Sequence, residues 1–460
     1  MTSHEIRPLP IVAAVEMGYG HVRPALSLAD ALGVEVVRVD GPPLAAPPEE
    51  RLWRSVRVAY ERTSRLSQVP VVGAPLRWAL DGITGIPRLH PFRDLSSPTR
   101  GVLALDRLVR RGLGKGLVAE LRATGRPLLT TFYAPALVAD LARAVDVHCV
   151  VTDTDVNRVW APLQSRETRI RYLVPTPRTA RRLRSYGVPA DRITYTGFPL
   201  PDELVGGPDL STLKRNLAAR VARLDPGRAF RAEHGEELGL FLGDVPQDGT
   251  PAPPLVTFAV GGAGAQAGLA RTFLPSMRRA VENGSLRLAL VAGTRRAVRA
   301  VFEEAVHDAG LEAALGSGIE IQFHPHLDGY LREMNALLAR TDVLWTKPSE
   351  LCFYAALGIP LVCAAPVGFH ERTNRRWVRE SGAGFKQRDP RFAGEWLADL
   401  LADGALAAAA WAGFTRLPKL GLYRILEAIG GERQNPTPSR GAGTRRSGST
   451  ALAVRPHSAR

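Results

Sequence analysis

The sequence predicts an α/β protein with two parallel-sheet domains, and three observations carry that prediction. Short β-branched segments alternate with amphipathic helical segments, which is the pattern of parallel strands joined by crossover helices. The alternation runs twice, and a Pro- and Gly-rich stretch at residues 243–254 separates the two series. Each series opens with a buried strand, a Gly-rich turn and a helix. These features predict two Rossmann-like domains that face a shared cleft.

The elements of the first half follow from their apolar, β-branched composition. Strands are predicted at residues 11–15, 34–39, 128–131, 147–152, 171–174 and 193–196. Pro24 suits the first turn of a helix over residues 25–32, because the N–H it lacks has no partner there. Residues 41–100 are rich in Pro and aromatic residues and are predicted as an insertion with a helical patch at 50–66. Together these elements define an N-terminal domain, residues 1–203.

The second half repeats the pattern after an interdomain connection predicted over residues 204–254. Its strands are predicted at residues 255–260, 286–292, 319–323, 343–346 and 361–364. They define a C-terminal domain over residues 255–404, which terminal helices at 405–430 follow. Residues 431–460 are Ser, Gly, Pro and Arg without periodicity, which predicts a disordered tail.

Composition excludes several classes of protein. With 460 residues, 45% hydrophobic and 23% charged, the chain is neither disordered nor fibrous. The net charge of +15 is the excess of 60 basic residues, 55 Arg and 5 Lys, over 45 acidic residues. The Arg residues are spread along the chain, so nucleic-acid binding is not expected. The three cysteines lack zinc-ligand spacing and predict a reducing, cytoplasmic compartment. Glycine and proline interrupt the longest uncharged stretch, residues 351–369, so no segment is predicted to span a bilayer.

Two Gly-rich loops are the candidate ligand-binding elements. The first carries Gly18, Tyr19 and Gly20, and the second carries Gly261, Gly262 and Gly264. Glycines at these places let backbone N–H groups and a helix N-terminus approach a phosphate.

Two interpretations of these loops stay open, dinucleotide binding and a purely structural role. Gly262, Gly264 and Ala267 fit the G-x-G-x-x-A form of dinucleotide-binding proteins, but the strand at 286–292 ends without the acidic residue that would hold the ribose. In the first loop, Arg23 stands where the third glycine would be, although Asp40 ends the next strand. The other alternative is that the glycines serve only tight turns and close packing.

The order and spacing of several motifs resemble those of GT-B glycosyltransferases, specifically the group containing monogalactosyldiacylglycerol synthase and the peptidoglycan N-acetylglucosaminyltransferase that makes lipid II. The loop at residues 18–24 is similar to the Gly-Gly-His-x-x-Pro loop of that group. The further matching segments are residues 151–153, 172–176, 183–189, 196–199, 368–374 and 382–384. The resemblance covers about residues 8–35, 147–200 and 255–385, more than half of the chain. It implies a first domain that binds the acceptor and a second that binds a nucleotide-diphosphosugar.

The resemblance assigns roles on the acceptor side. His21 would be the general base for an acceptor hydroxyl, since an imidazole that titrates near neutrality suits that task. Asp153 would orient the acceptor or His21. The alternatives are that His21 only hydrogen-bonds the loop backbone, and that Asp155, two residues on, only caps the next segment.

The donor-side roles use the second Gly-rich loop and the ends of three strands. Glycines 261, 262 and 264 would donate N–H groups to the diphosphate, while the helix N-terminus counters the charge of the leaving group. The other donor-binding candidates are Phe323, Lys347, Ser349, Glu350, His370, Glu371 and Asn374. Lys347 and His370 would contact the diphosphate, Phe323 would flank the base, and Glu371 and Asn374 would contact sugar hydroxyls. For the residues at helix starts the alternative is simple helix capping.

The sequence departs from the family pattern at the donor side. The family has a ribose-binding Glu five residues before a Gly-x-Pro, and here Phe353 stands five residues before Gly358, with Glu350 as the replacement candidate one turn earlier. No Asp-x-Asp is placed for metal-dependent transfer, because the sequence 153–155 belongs to the acceptor half. His324 and His326 are spaced like metal ligands, but a pair alone is weak. We therefore expect neither a metal nor a cofactor.

These observations favour a metal-independent, inverting glycosyltransferase that moves a sugar from a nucleotide-diphosphosugar to an acceptor hydroxyl on a lipid or small molecule. Two alternatives remain: a sugar-nucleotide epimerase or hydrolase on the same fold, and an inactive nucleotide- or glycan-binding protein. The relatives suggest a lipid acceptor, and the basic surface suits contact with the inner face of an anionic membrane.

Overall fold

The computed structural model describes residues 8–55, 85–243, 245–246, 252–261, 264, 266–366 and 368–430. Gly262, the predicted tail at 431–460, and most of the helical patch predicted at 50–66 lie outside these residues. Residues 47–55, which include the described part of that patch, are helical.

Parallel strands form one six-stranded sheet in the first half, in the order β2-β1-β3-β4-β5-β6. The strands are β1 (Ile11–Ala14), β2 (Val36–Arg38), β3 (Leu128–Thr130), β4 (Val147–Val150), β5 (Arg171–Val174) and β6 (Ile193–Tyr195). The central strands β1, β3 and β4 are buried along their whole length, which explains their continuous apolar composition.

A second parallel sheet has the order β12-β11-β10-β7-β8-β9. Its strands are β7 (Leu255–Ala259), β8 (Arg287–Gly293), β9 (Ile319–Phe323), β10 (Val343–Thr346), β11 (Leu361–Cys363) and β12 (Gly384–Lys386). The predicted fold class is confirmed: the molecule is an α/β protein of two Rossmann-like domains, the GT-B architecture. Strand β12 was not predicted, because the segment Gly-Phe-Lys is short and carries no β-branched residue.

Helices connect the strands and cover both sheets. In the first half these are α1 (Tyr19–Leu32), α2 (Arg100–Arg110), α3 (Lys115–Thr124), α4 (Tyr133–Ala142) and α5 (Pro177–Ser185). The segment between the sheets holds α6 (Asp202–Val205), α7 (Ser211–Leu224) and α8 (Ala229–Leu242). The second half adds α9 (Leu269–Glu282), α10 (Arg296–Asp308), α11 (Leu327–Arg340), α12 (Phe369–Glu380), α13 (Ala393–Ala402), α14 (Ala405–Arg416) and α15 (Gly421–Gly430). Glu350–Leu357 is a 3-10 helix that begins just after β10.

Two features join the halves. The segment predicted as a connection packs on the second domain, since Leu213, Leu217 and Val221 belong to the same buried cluster as strand β7. The last helix, α15, returns to the first domain, where Leu422 and Ile425 share a buried cluster with strand β1. In the part of the chain that the structure describes, no single helix is long and apolar enough to cross a membrane. Pro390–Ala402 and Ala405–Gly430 reach that length and composition only together, with a bend of 70° between them.

Candidate active site

The strand order of each sheet reverses at one place, and the predicted loops meet there. The reversal lies between β1 and β3 in the first sheet and between β7 and β10 in the second. Ligands of open α/β sheets bind outside the carboxyl ends of the strands at such points. His21 Nδ1 lies 3.1 Å from the carbonyl oxygen of Thr131, just after β3. A Cβ at Gly261, after β7, would lie 2.7 Å from Cε of Lys347, after β10.

His21 is held in one tautomer by its surroundings. Its Nδ1 contacts the Thr131 carbonyl and lies 3.0 Å from Thr152 Oγ1, while Thr131 Oγ1 donates to the His21 carbonyl at 2.6 Å. A carbonyl can only accept a hydrogen bond, so Nδ1 carries the proton and Nε2 keeps its lone pair. Burial lowers the pKa of His21 below its ordinary value of 6.5, against the opposing charges of Asp153 and Glu350. The ring is therefore neutral at pH 7 and able to accept a proton at Nε2.

Asp153 and Asn374 meet across the domain interface. Asn374 Nδ2 donates to Asp153 Oδ1 at 3.3 Å and to the Pro348 carbonyl at 3.1 Å. Asn374 Oδ1 accepts from the backbone N–H and the hydroxyl of Thr154, at 3.0 and 2.7 Å. The predicted contact of Asn374 with sugar hydroxyls would require these bonds to be exchanged, and it stays a prediction.

Glu350, the residue predicted to replace the ribose-binding Glu of the family, lies against the first domain. Its carboxylate points at the first domain, where Oε1 lies 3.8 Å from Arg23 Nε and Oε2 would lie 3.1 Å from a Cβ at Gly20. Arg23 is 2% exposed and its Nη2 donates to Tyr330 Oη at 3.4 Å. In this arrangement Glu350 faces the first Gly-rich loop and helix α1. The family position five residues before Gly358 is filled by Phe353, whose ring stacks on Phe198 with centroids 4.5 Å apart.

Tyr19, in the first Gly-rich loop, also reaches the second domain. Its hydroxyl lies 2.9 Å from Thr294 Oγ1 and accepts from the Thr294 N–H at 3.2 Å. Gly293 has φ of +67°, and a Cβ there would lie 2.9 Å from the Tyr19 hydroxyl, so this close approach favours glycine. Gly18, with φ of +106° before α1, lets the chain turn into the helix that positions Tyr19 and His21.

Lys347 and Glu371 form a buried ion pair beside the second Gly-rich loop. Lys347 Nζ lies 2.7 Å from Glu371 Oε1, and the two side chains are 21% and 2% exposed. Burial opposes the charge on Lys347, yet Glu371 raises its pKa above the ordinary value, so it is a cation at neutral pH. Gly264 has its own N–H in a turn bond to the Gly261 carbonyl, at 3.0 Å. The predicted contact of Gly264 with a diphosphate would require this turn to open.

Of the remaining predicted residues, the structure brings His370 close to His21 and places Phe323 and His324 at the end of β9, the edge strand of the second sheet. His370 is partly buried at the start of α12 and lies near enough to His21 to lower its pKa. Ser349 donates its backbone N–H to the Lys347 carbonyl at 2.7 Å. Phe323 is partly buried at the end of β9, 5.7 Å below the guanidinium of Arg299. His324 Nδ1 bonds within its own turn, to the backbone of His326. Among the described residues, no three His, Cys, Asp or Glu side chains are grouped so as to hold a metal ion.

Sequence reasoning missed several residues that build the centre: Arg23, Thr131, Thr152, Thr154, Thr294 and Tyr330. The signal for three of them was present, because Thr131, Thr152 and Thr294 follow β3, β4 and β8 within two residues. A polar residue directly after a buried parallel strand lies at the ligand-binding edge. Arg23 and Tyr330 carry no such signal, since only the tertiary structure brings helices α1 and α11 together.

The similarity of the chain to known proteins lies in structure. No family model matches the chain, and no curated protein matches it in sequence. Among solved structures, the chain is similar to the glycosyltransferase SnogD from Streptomyces nogalater, with 15% identity and a TM-score of 0.44 over 92% of this chain and 100% of that one. It is similar to a UDP-GlcNAc 2-epimerase from Neisseria meningitidis bound to UDP-GlcNAc, with 10% identity and a TM-score of 0.46 over 91% and 98% of the two chains. A glycosyltransferase from Rickettsia africae shows 11% identity and a TM-score of 0.44 over 92% and 98%.

Proposed function

We propose that this protein is a glycosyltransferase that moves a sugar from a nucleotide-diphosphosugar to an acceptor hydroxyl. One observation carries the proposal: a neutral His21, with Nε2 unprotonated, and a cationic Lys347 beside a Gly-rich loop lie in different domains, and the charges of Asp153 and Glu350 act on both. A base on one side and an anion-binding element on the other are the two groups that glycosyl transfer requires.

In the proposed reaction, His21 Nε2 takes the proton of the acceptor hydroxyl. The acceptor oxygen forms a bond to the anomeric carbon as the bond to the diphosphate oxygen breaks. The nucleoside diphosphate leaves with that electron pair, and Lys347 with the N-terminus of α9 stabilises its charge. A single displacement of this kind inverts the anomeric centre, and we propose that it proceeds without a metal.

The motif resemblance supports a finer assignment. On the basis of the segments at residues 18–24 and 368–374, we propose that the protein is related to the group of monogalactosyldiacylglycerol synthase and the peptidoglycan N-acetylglucosaminyltransferase. That assignment implies a lipid acceptor and a cytoplasmic protein that contacts the inner face of the membrane. The net charge of +15 is consistent with attraction to anionic lipid.

Calorimetric titration of the purified protein with UDP, GDP, ADP, TDP and NAD is the first test. We expect micromolar affinity for one nucleoside diphosphate and none for NAD. Binding of NAD alone would overturn the proposal in favour of a dinucleotide-binding protein. No binding at all would favour a two-domain scaffold that has lost its ligand.

The second test separates transfer from the alternatives. The matching nucleotide-sugar is incubated with and without lipid and small-molecule acceptors, and products are followed by NMR. Acceptor-dependent release of nucleoside diphosphate, abolished in His21→Ala while its affinity for the nucleotide is unchanged, supports transfer. A change in the sugar without any acceptor identifies an epimerase or hydrolase instead, and binding without turnover identifies a binding protein.

A further inference from the structure

The carboxamide of Asn374 spans the interface between the two domains. It sits in the first half of α12, is 0% exposed, and makes four hydrogen bonds of 2.7 to 3.3 Å. Three of the four reach the first domain, two at Thr154 and one at Asp153. The fourth holds the carboxamide to its own domain through the Pro348 carbonyl.

The orientation of this carboxamide is fixed by its partners. The backbone N–H of Thr154 can only donate, so Oδ1 faces it, and the Pro348 carbonyl can only accept, so Nδ2 faces it. An amide has two N–H donors and two acceptor positions, and all four are used here. A sugar hydroxyl could bond to Asn374 only by displacing one of these partners.

The segment that Asn374 holds is the segment that sets His21. Thr152 contacts His21 Nδ1 through its hydroxyl, and the carboxylate of Asp153 raises the pKa of His21 against the effect of burial. Asp153 and Thr154 follow directly. A group that fixes residues 153–154 therefore fixes the electrostatic surroundings of the base.

Two neighbouring contacts cross the same interface on either side of His21. The Tyr19 hydroxyl bonds to Thr294, and Arg23 pairs with Glu350 and Tyr330. Arg23 leaves Nε and Nη1 buried without a hydrogen bond, so its pairing is looser than that of Asn374. Of these three residues, Asn374 is therefore the one whose carboxamide uses all of its hydrogen-bond donors and acceptors.

We infer that Asn374 is a positioning residue that couples closure of the two domains to the setting of the base, rather than a ligand of the donor sugar. When the domains meet, its carboxamide forms hydrogen bonds with Thr154 and Asp153 and holds the Asp153 carboxylate beside His21. When they part, those polar groups return to water. The role in catalysis rests on the proposed function, whereas the clamp itself stands on the four hydrogen bonds.

The clamp is tested first without any activity. Hydrogen exchange is measured at the Thr154 amide in the unmodified protein, in Asn374→Ala and in Thr154→Val, which removes only the hydroxyl donor. We expect the exchange of this amide to accelerate at least tenfold in Asn374→Ala and several-fold in Thr154→Val, with Thr154→Ser near the original rate. The radius of gyration from X-ray scattering should rise in Asn374→Ala.

The control is Asn335→Ala. Asn335 also lies on a helix of the second domain and donates to a carboxylate, that of Glu203, at 2.7 Å, but this hydrogen bond is exposed. Exchange at Thr154 should be unchanged in this variant. Equal exchange at Thr154 in Asn374→Ala and in the unmodified protein would overturn the clamp.

Turnover then tests the positioning role. In Thr154→Val and Asn374→Ala we expect kcat to fall tenfold or more while the affinity for the nucleotide-diphosphosugar changes less than twofold, with Thr154→Ser restoring kcat. A loss of donor affinity with unchanged kcat would identify Asn374 as a sugar ligand and overturn the inference. If no transferase activity exists, the exchange and scattering results still decide the clamp, so the two failures are distinguishable.

Discussion

At the scale of single residues, His21 combines a buried ring with three charged or titratable neighbours. Burial is the largest influence on its pKa and lowers it, Asp153 and Glu350 raise it, and His370 lowers it. Because the Thr131 carbonyl holds the proton on Nδ1, protonation at low pH would occur at Nε2 and would abolish the base. The pH dependence of turnover should therefore report this ring.

We expect the rate to fall on the acid side with a pKa below 6.5, the ordinary value for His21. Replacing Asp153 by Asn removes a charge that raises this pKa, so the acid limb should move to still lower pH. Titration of the His21 ring by NMR measures the same shift without turnover. An acid limb that moves to higher pH in Asp153→Asn would contradict the assignment of His21 as the base.

The pair of Lys347 and Glu371 gives a second prediction at this scale. Both side chains are largely buried and their charged atoms are 2.7 Å apart. Removing one partner takes this ion-pair contact from the other buried charge, so Lys347→Met and Glu371→Gln should each lower the free energy of unfolding by about 3 kcal/mol. The double variant should lose at least about 1 kcal/mol less than the sum. Urea unfolding of the four proteins measures this coupling, and strictly additive losses would contradict it.

At the scale of elements, the second Gly-rich loop is shaped by close contact with its neighbours. Gly261 has φ of +44° and Gly264 has φ of +65°, both in the region that favours glycine. A Cβ at Gly264 would lie 2.6 Å from Val298 Cγ2 on α10. Gly261 therefore lies close against Lys347, and Gly264 lies close against α10.

Gly261→Ala should weaken the binding of the nucleoside diphosphate at least tenfold. The added Cβ would meet Lys347 Cε at 2.7 Å and push aside the cation that we assign to the diphosphate. Gly268→Ala is the matched control, because Gly268 precedes α9, has an ordinary helical φ of −61° and leaves open space where a Cβ would lie. Calorimetry of both variants measures the effect, and equal affinities would remove Gly261 from the binding site.

The strands show what sequence pattern can and cannot supply. All eleven predicted strands exist, and most of them are buried or half-buried apolar runs between turn residues. The exception is β6, whose Thr194 and Tyr195 are exposed. The twelfth, β12, is Gly-Phe-Lys, and it exists because β11 offers it a hydrogen-bonding edge.

At the scale of the whole molecule, the candidate site is shared between the domains; the sequence predicts a shared cleft but not which residues meet across it. The motifs located His21, Asp153, Gly261 and Lys347 at strand ends, which periodicity and topology are enough to predict. They could not show that Asn374 reaches Asp153 across 221 positions of the chain. Such contacts depend on how two finished domains meet, and no local pattern encodes that orientation.

The return of α15 to the first domain is a further property of the whole chain. Its amphipathic pattern predicts a buried face but does not say which domain covers it. In the structure, Ile425 is 0% exposed in one cluster with Val12, Leu129 and Val150, residues of three neighbouring strands. The end of the described chain therefore closes the core of the domain with which the chain begins.

Ile425→Ala should consequently destabilise the first domain, although Ile425 follows the second domain in sequence. Loss of a fully buried Ile leaves a cavity and costs about 2–5 kcal/mol. Hydrogen exchange should show faster opening at Val12 and Leu129, with the strands of the second sheet unchanged. The exposed Glu427 on the same helix provides the control, since Glu427→Ala should alter stability by less than about 0.5 kcal/mol. Faster exchange confined to the second sheet would show that α15 stabilises the other domain.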